Sequence, residues 1–223
     1  MLDNTASTGA AKKPYHRGDL PDVLLAAAER VLVRDGLAGV GLRAIAREAD
    51  VSHTAPKHHF GDLANLLSAL AAQGYRRLGA RLRAATQTSQ SADARRKQVA
   101  KTYVRFASEN PQLFGLMFRN EIISLQNSAL LAAIRDTLLN MAEAVSERAM
   151  PAEGYAPGGI GQDEAMHVTV AWAYLHGLAT LLVDKRLGGL AKVSGFASAQ
   201  QLVEQVLERV TLAIHLSEKN NEA

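Results

Sequence analysis

Between residues 42 and 60 the chain reads LRAIAREADVSHTAPKHHF, and much of its hydrogen-bonding chemistry is gathered there. Arg43, Ser52, His53, Thr54, Lys57, His58 and His59 can all donate, and five of these seven carry or can acquire positive charge. Three histidines so close together first suggest a metal site. Adjacent histidines on a helix diverge by ~100°, so His58 and His59 cannot readily share an ion. The chain has no cysteine, and no carboxylate is placed to complete a coordination shell, so no metal is expected. The other chemistry open to such a cluster is donation to phosphate, which strengthens when an imidazole is protonated. For any single basic residue here, a solvated helix face is an equally good account.

A second group is apolar with one polar member: Phe106, Phe114, Met117, Phe118, Met141, Trp172 and His176. Trp172 and His176 are four residues apart and so share one helix face. Side by side they offer a stacking surface and a polar handle, which suits a mostly apolar ligand. Ordinary core packing is the competing account for each of the seven. His167 and Tyr174 point elsewhere on that helix. The sequence holds no nucleophile–base pair, phosphate loop or dinucleotide fingerprint. No catalytic residue, no enzyme activity and no cofactor are expected.

The elements that must carry these residues are helical. Ala and Leu dominate, apolar residues recur at three- and four-residue spacing, and about nine helices are expected in an all-α chain. The first begins near Asp19, with Pro21 in its first turn, a stripe of Leu24, Ala27, Ala28 and Val31, and Gly36 as its stop. Short helices follow over 42–49 and from Ser52, as the cap, to Phe60. A fourth runs from Asp62 through Arg76, Arg77, Arg81 and Arg83 to the polar segment 86–91. Beyond it come helices over 93–109, 111–119 and 127–149, then a loop to Gly161. An apolar helix covers 163–186, closed by Gly188-Gly189. A last amphipathic helix covers 198–216, with Leu202, Val206, Val210 and Ile214 spaced by four.

With 223 residues, 48% of them hydrophobic, the chain can build a sizeable core. The lack of cysteine excludes a disulfide scaffold and thiolate chemistry. No uninterrupted apolar run approaches the ~18–20 residues that span a bilayer, and the polar N-terminal segment has no apolar core to act as a secretory signal. A cytoplasmic location and no membrane partner are expected. Net charge is +3, but residues 1–101 hold 16 Lys+Arg against 9 Asp+Glu, whereas 102–223 hold 9 against 13. A basic front and an acidic back suggest a polyanion partner for the front alone.

The stretch 42–60 has the makings of a helix-turn-helix. Ala46 and Ala49 are small enough for two helices to cross closely, Val51 plugs the core behind the turn, and Ser52 opens the second helix. Seating that helix in the major groove would aim its first N–H groups at phosphate.

Residues 16–67 resemble the DNA-binding domain of the TetR family of regulators. Gly36, Leu42, Ile45-Ala46, Ala49, Val51-Ser52, His59-Phe60 and Leu66-Leu67 carry the likeness. The opening run from Tyr15 to Leu20 and the run from Ser52 to Pro56 resemble one branch, whose C-terminal domain bears a Trp…His-Gly signature that Trp172, His176 and Gly177 fit. Four residues depart from the pattern. Asp50 stands where glycine is usual, at a left-handed position that Asp tolerates better than most. Lys57 replaces a phosphate-touching tyrosine, Leu63 replaces a lysine, and Pro56 falls at the fourth position of the reading helix, where proline is poorly suited.

The resemblance implies an arm over 1–14, a helix-turn-helix domain over 15–67, a connecting helix and linker over 68–91, a ligand-binding and dimerisation domain over 92–217, and a tail over 218–223. It implies phosphate contacts from Arg43, Ser52, His53, Lys57 and His59, with His58 beside them. Thr54 and Ala55 face the groove floor. Lys12, Lys13 and Arg17 would follow the minor groove. It further implies a homodimer that represses from a palindromic double-stranded DNA operator until a small hydrophobic or aromatic effector releases it. Both C-terminal helices are too apolar for one protomer to cover, so Leu202, Val206 and Val210 are expected to meet Leu181 and Leu182 across the dimer. A constitutive DNA binder remains open, as does a small helical enzyme or ligand carrier.

Overall fold

In the computed structural model, residues 20–89, 91–145 and 160–209 are described; they form ten α-helices and a 3-10 turn, with no strand among them. The all-α expectation holds. The arm, Arg17, Asp19, Val210 and Ile214 lie outside the described residues.

Helix α1 (Leu20–Asp35) buries Leu24, Ala27, Ala28 and Val31, the stripe its spacing predicts. It stops at Gly36, whose φ of 68° only glycine adopts freely, and whose N–H returns to the Leu32 carbonyl at 3.0 Å. The 3-10 turn (Leu37–Gly39) that follows was not expected. α2 (Leu42–Glu48) packs on α1 through fully buried Ile45 and Ala46. Arg30 and Arg34 of α1 reach Glu48 at 2.8 and 2.7 Å on the rim of this crossing. Exposed pairs of this kind are worth ~0–1 kcal/mol each, so the apolar contact dominates.

Helix α4 (Leu63–Gln87), about 37 Å long at 1.5 Å per residue, is the spine of the molecule. Asp62 caps it, accepting the Asn65 N–H at 2.8 Å. α1, α5 (Ala92–Glu109), α6 (Pro111–Met117) and α7 (Ser128–Val145) all pack against it. The approach of α6 is close enough that a Cβ on Gly74 would come within 2.7 Å of Met117 Sδ. The α7 contact is polar at its centre. Thr137 donates to the Tyr75 carbonyl at 3.0 Å, and the Asn140 amide donates to the Gly79 carbonyl at 3.3 Å. The arginines of α4 serve this packing too: Arg77 pairs with Glu29 of α1, and Arg81 pairs with Glu109 at 2.5 Å while lying over Phe106.

Helix α8 (Gln162–Val183) packs between α5 and α7, burying Val168, Ala171, Leu175 and Ala179. By length and composition it is apolar enough to cross a membrane, yet only 22% of its most apolar stretch is buried. Its end differs from expectation. The stop is at Lys185, in the left-handed region at φ 59°, and Gly188-Gly189 instead open a further short helix, α9 (Gly188–Val193). α10 (Ala199–Arg209) turns Val203 and Leu207 inward, and Lys97 and Lys101 of α5 pair with its Glu208.

Candidate functional site

The turn between α2 and α3 is set by Asp50, whose φ of 52° confirms the left-handed position. The Val51 N–H bonds to the Ala46 carbonyl at 3.0 Å, and half-buried Val51 packs against the core. Ser52 does not cap the third helix. Its carbonyl accepts the Ala55 N–H at 2.9 Å, and its hydroxyl lies 2.9 Å from that of Thr54, so it closes a turn one step earlier. α3 is Ala55–Phe60, beginning two residues later than the sequence suggested. That shift removes the difficulty with Pro56: it falls in the first turn, where a missing N–H is harmless, and its ring is buried.

Buried Pro56 and half-buried Phe60 fix α3 against the domain, and the helix ends at Gly61. Its other side faces outward. Lys57, His58 and His59 are exposed, as are Ser52, His53, Thr54 and, on α2, Arg43; Ala55 is half-buried. The His58 and His59 rings meet edge-on at 5.4 Å. No group of three metal-ligating side chains occurs among the described residues.

Four helices, α4, α5, α6 and α8, bring an aromatic nest together. Phe114 and Phe118 are 5.0 Å apart between ring centroids, and the His176 ring lies 4.3 Å from Phe118 and 5.4 Å from Phe114. Trp172 lies 6.3 Å from both Phe118 and His176. Tyr103 of α5 is the polar hub: its hydroxyl is 3.1 Å from His176 Nδ1 and accepts the Trp172 indole N–H at 3.3 Å. Tyr75 of α4 stacks edge-on against Phe118 at 5.8 Å and donates to the Met117 carbonyl at 3.0 Å. Burial pushes the Tyr103 and Tyr75 hydroxyls upward in pKa and the His176 imidazole downward, so all three stay uncharged near neutral pH.

Four of the seven residues singled out from sequence therefore share ring contacts: Phe114, Phe118, Trp172 and His176. Met117 adjoins them through its carbonyl and its packing on Gly74. Phe106 is fully buried beneath Arg81, and Met141 is buried on α7. Sequence reasoning missed Tyr103 and Tyr75. The available signal was a hydroxyl-bearing ring on each otherwise apolar helix face. α6 also fills core: Leu113, Phe114, Leu116 and Met117 are all buried. Gly177 faces open space, so a side chain there would not fill the nest.

On the outer face of α8, Met166, Val170 and Leu181 are exposed, and on α9 so are Leu190 and Val193. Leu182, Leu202 and Val206 are half-buried. A shallow cleft lined by Ala26, Glu29, Arg30, Val33, Arg34 and Glu48 lies apart from both sites, on the outer side of α1.

A basic outward-facing third helix on a helix-turn-helix is the arrangement of a DNA-reading head. Residues 24–70 match the family described as bacterial regulatory proteins, tetR family, and residues 97–209 match the tetracyclin repressor-like C-terminal domain. The chain belongs to the TetR family. A solved protein of unknown function from Rhodococcus sp. RHA1 is 37% identical, with 88% of this chain and 96% of that one covered at a TM-score of 0.68. A regulatory protein in the tetR family from Rhodococcus RHA1 is 17% identical, covering 85% and 93% at 0.58. The fatty acid degradation regulator FadR from Bacillus halodurans is 16% identical, covering 87% and 95% at 0.57. The last two likenesses concern fold alone. A search of curated proteins gives no match. As a TetR-family member, the protein is a transcriptional regulator with an N-terminal DNA-binding domain.

Proposed function

We propose that this TetR-family protein is a cytoplasmic homodimeric repressor that leaves a near-palindromic operator when an apolar or aromatic effector binds its C-terminal half. The observation that carries the reading is the continuity of α4. Only two residues separate it from the end of α3, and farther along it touches the aromatic nest through Tyr75. A ligand that displaces Phe118 therefore has a rigid route to the reading helix. On this reading the helix-turn-helix spans 15–67, residues 68–91 connect, and 92–217 bind effector and partner. Trp172, His176 and Gly177 support a reading of the chain as one of the Trp-His-Gly branch.

Within the reading head, Arg43, Ser52, His53, Lys57, His58 and His59 hold phosphate, while Thr54 and Ala55 face base edges. Arg17 would extend the contact into the minor groove. Phe114, Met117, Phe118, Trp172 and His176 line the effector site, with Phe106 and Met141 supporting it from the core. The dimer would cover the face of α8 that the protomer leaves bare, with Leu181, Leu182, Leu202, Val206 and Val210 at or near the seam. Coupling is reciprocal: an effector that weakens operator binding must itself bind less tightly to the operator complex.

Enrichment of bound duplexes from a random pool tests the reading. A recovered inverted repeat supports it, and retention of no sequence at low salt refutes it. Deep burial of Phe114 and Met117 favours one other reading, a constitutive binder with a solid C-terminal core. A thermal-shift screen of apolar and aromatic compounds with no responder, together with a defined operator, would establish that reading instead.

A further inference from the structure

An indole N–H only donates, so the Tyr103 oxygen accepts from Trp172. The phenol has one proton, and the acceptor beside it is His176 Nδ1, 3.1 Å away. Every hydrogen bond in the chain is satisfied when Trp172 donates to Tyr103 and Tyr103 donates to His176. Nδ1 is then an acceptor, and the single proton of the neutral imidazole resides on Nε2.

Nε2 has no hydrogen-bond partner among the described residues, and the ring is half-buried among Phe114, Phe118 and Trp172. The nest thus presents one N–H, fixed in direction, within aromatic walls. We propose that this relay makes the site a reader of an uncharged hydrogen-bond acceptor: a ketone, ester or amide carbonyl on an aromatic or apolar body. The proposal rests on the effector reading above.

Competing ligand chemistries fit less well. A cation has no lone pair to offer Nε2–H, although the ring faces alone would attract it. A carboxylate would be stripped of water beside the rings, facing an imidazole whose burial favours its neutral form. A plain hydrocarbon leaves the N–H unmet. Tyr103 acts through His176 and is a positioning residue.

Two experiments on the full-length protein test this, and they fail separately. Nitrogen NMR of histidine-labelled protein should show His176 as the Nε2–H tautomer, and Tyr103→Phe should shift it toward a mixture. An Nδ1–H ring in the unsubstituted protein overturns the relay, whatever binds. Calorimetry with matched probes then compares acetylnaphthalene, ethylnaphthalene, naphthoate and naphthylmethylammonium, with Trp172, the sole tryptophan, as a fluorescent check. The ketone should bind roughly three- to tenfold more tightly than the hydrocarbon, the span of one neutral hydrogen bond. His176→Phe should abolish that preference while retaining the hydrocarbon. Equal binding of ketone and hydrocarbon, or preference for either ion, overturns the acceptor proposal and leaves the effector reading standing. If no probe binds and Trp172 emission never changes, the effector site itself is refuted, and the inference with it.

Discussion

Lys57→Ala and Arg34→Ala remove the same charge from exposed positions of the same domain, and they should behave differently. The Arg34 guanidinium lies 2.9 Å from Asp35 and 2.7 Å from Glu48, so two carboxylates surround it. Lys57 stands outward on α3, between buried Pro56 and exposed His58. If Lys57 meets a phosphate in each half-site, a dimer loses two phosphate contacts when it is replaced. At a slope of about −0.9 per contact, the dependence of log affinity on log salt should flatten by about 1.8. Between about 50 and 200 mM salt, a fourfold change, the deficit of the variant should shrink by about twelvefold. A scrambled duplex should lose affinity by the same factor as the operator, because phosphate carries no sequence. Arg34→Ala should leave the slope unchanged. Fluorescence anisotropy on labelled operator and scrambled duplexes across that salt range measures all of this. An unaltered slope for Lys57→Ala, or an equal flattening for Arg34→Ala, would refute the assignment of α3 as the phosphate-facing element.

Three further outcomes are expected. Asp50→Val puts a β-branched residue at φ 52° and should cost about 2 kcal/mol, or about 4–8 °C in Tm, while Asp50→Gly should stay within about 1 kcal/mol of the parent; a fully tolerated valine would mean the turn adopts another backbone. Val170, 45% exposed on the bare face of α8, should matter only to assembly: sedimentation of the parent should give about twice 23.9 kDa, and Val170→Glu should give a folded monomer. A parent that runs as a monomer would sink the two-half-site mechanism. Finally, burial holds His176 below its ordinary pKa, so the native state binds fewer protons than the unfolded chain. The stability this contributes is present above the unfolded value near 6.5 and is lost as pH falls from there through the folded value. Tm should therefore drop more steeply on acidification in the parent than in His176→Phe, and parallel curves would refute the assignment.

The reading head was legible because its determinants are local. The small residues Ala46 and Ala49, the left-handed residue at 50 and the apolar plug at 51 lie within one short stretch, and each acts on its immediate neighbours. Even the error there was local: Ser52 was read as a helix cap because its type favours that role, but its hydroxyl meets Thr54 and its carbonyl closes a separate turn. The same rule of thumb failed at the end of α8. A glycine pair signals a stop, yet the stop was taken by Lys185, and the glycines opened a helix that docks Ala191 into the core.

The C-terminal site was only half legible, for a different reason. Trp172 and His176 announce each other because helical spacing places them on one face, but their common partner Tyr103 lies 69 and 73 residues away on another helix. No periodicity links positions so far apart; only the packing of α8 on α5 does. The burial of α6 has the same origin. Gly74 lets this short helix sit directly on α4, and the missing Cβ leaves room there for Leu113 and Met117. The half-buried rings Phe118, Trp172 and His176 are then the members of the nest with room to meet a ligand. Phe118 touches both His176 and Tyr75, so the ring nearest the donor is also the ring that bears on the helix leading to DNA.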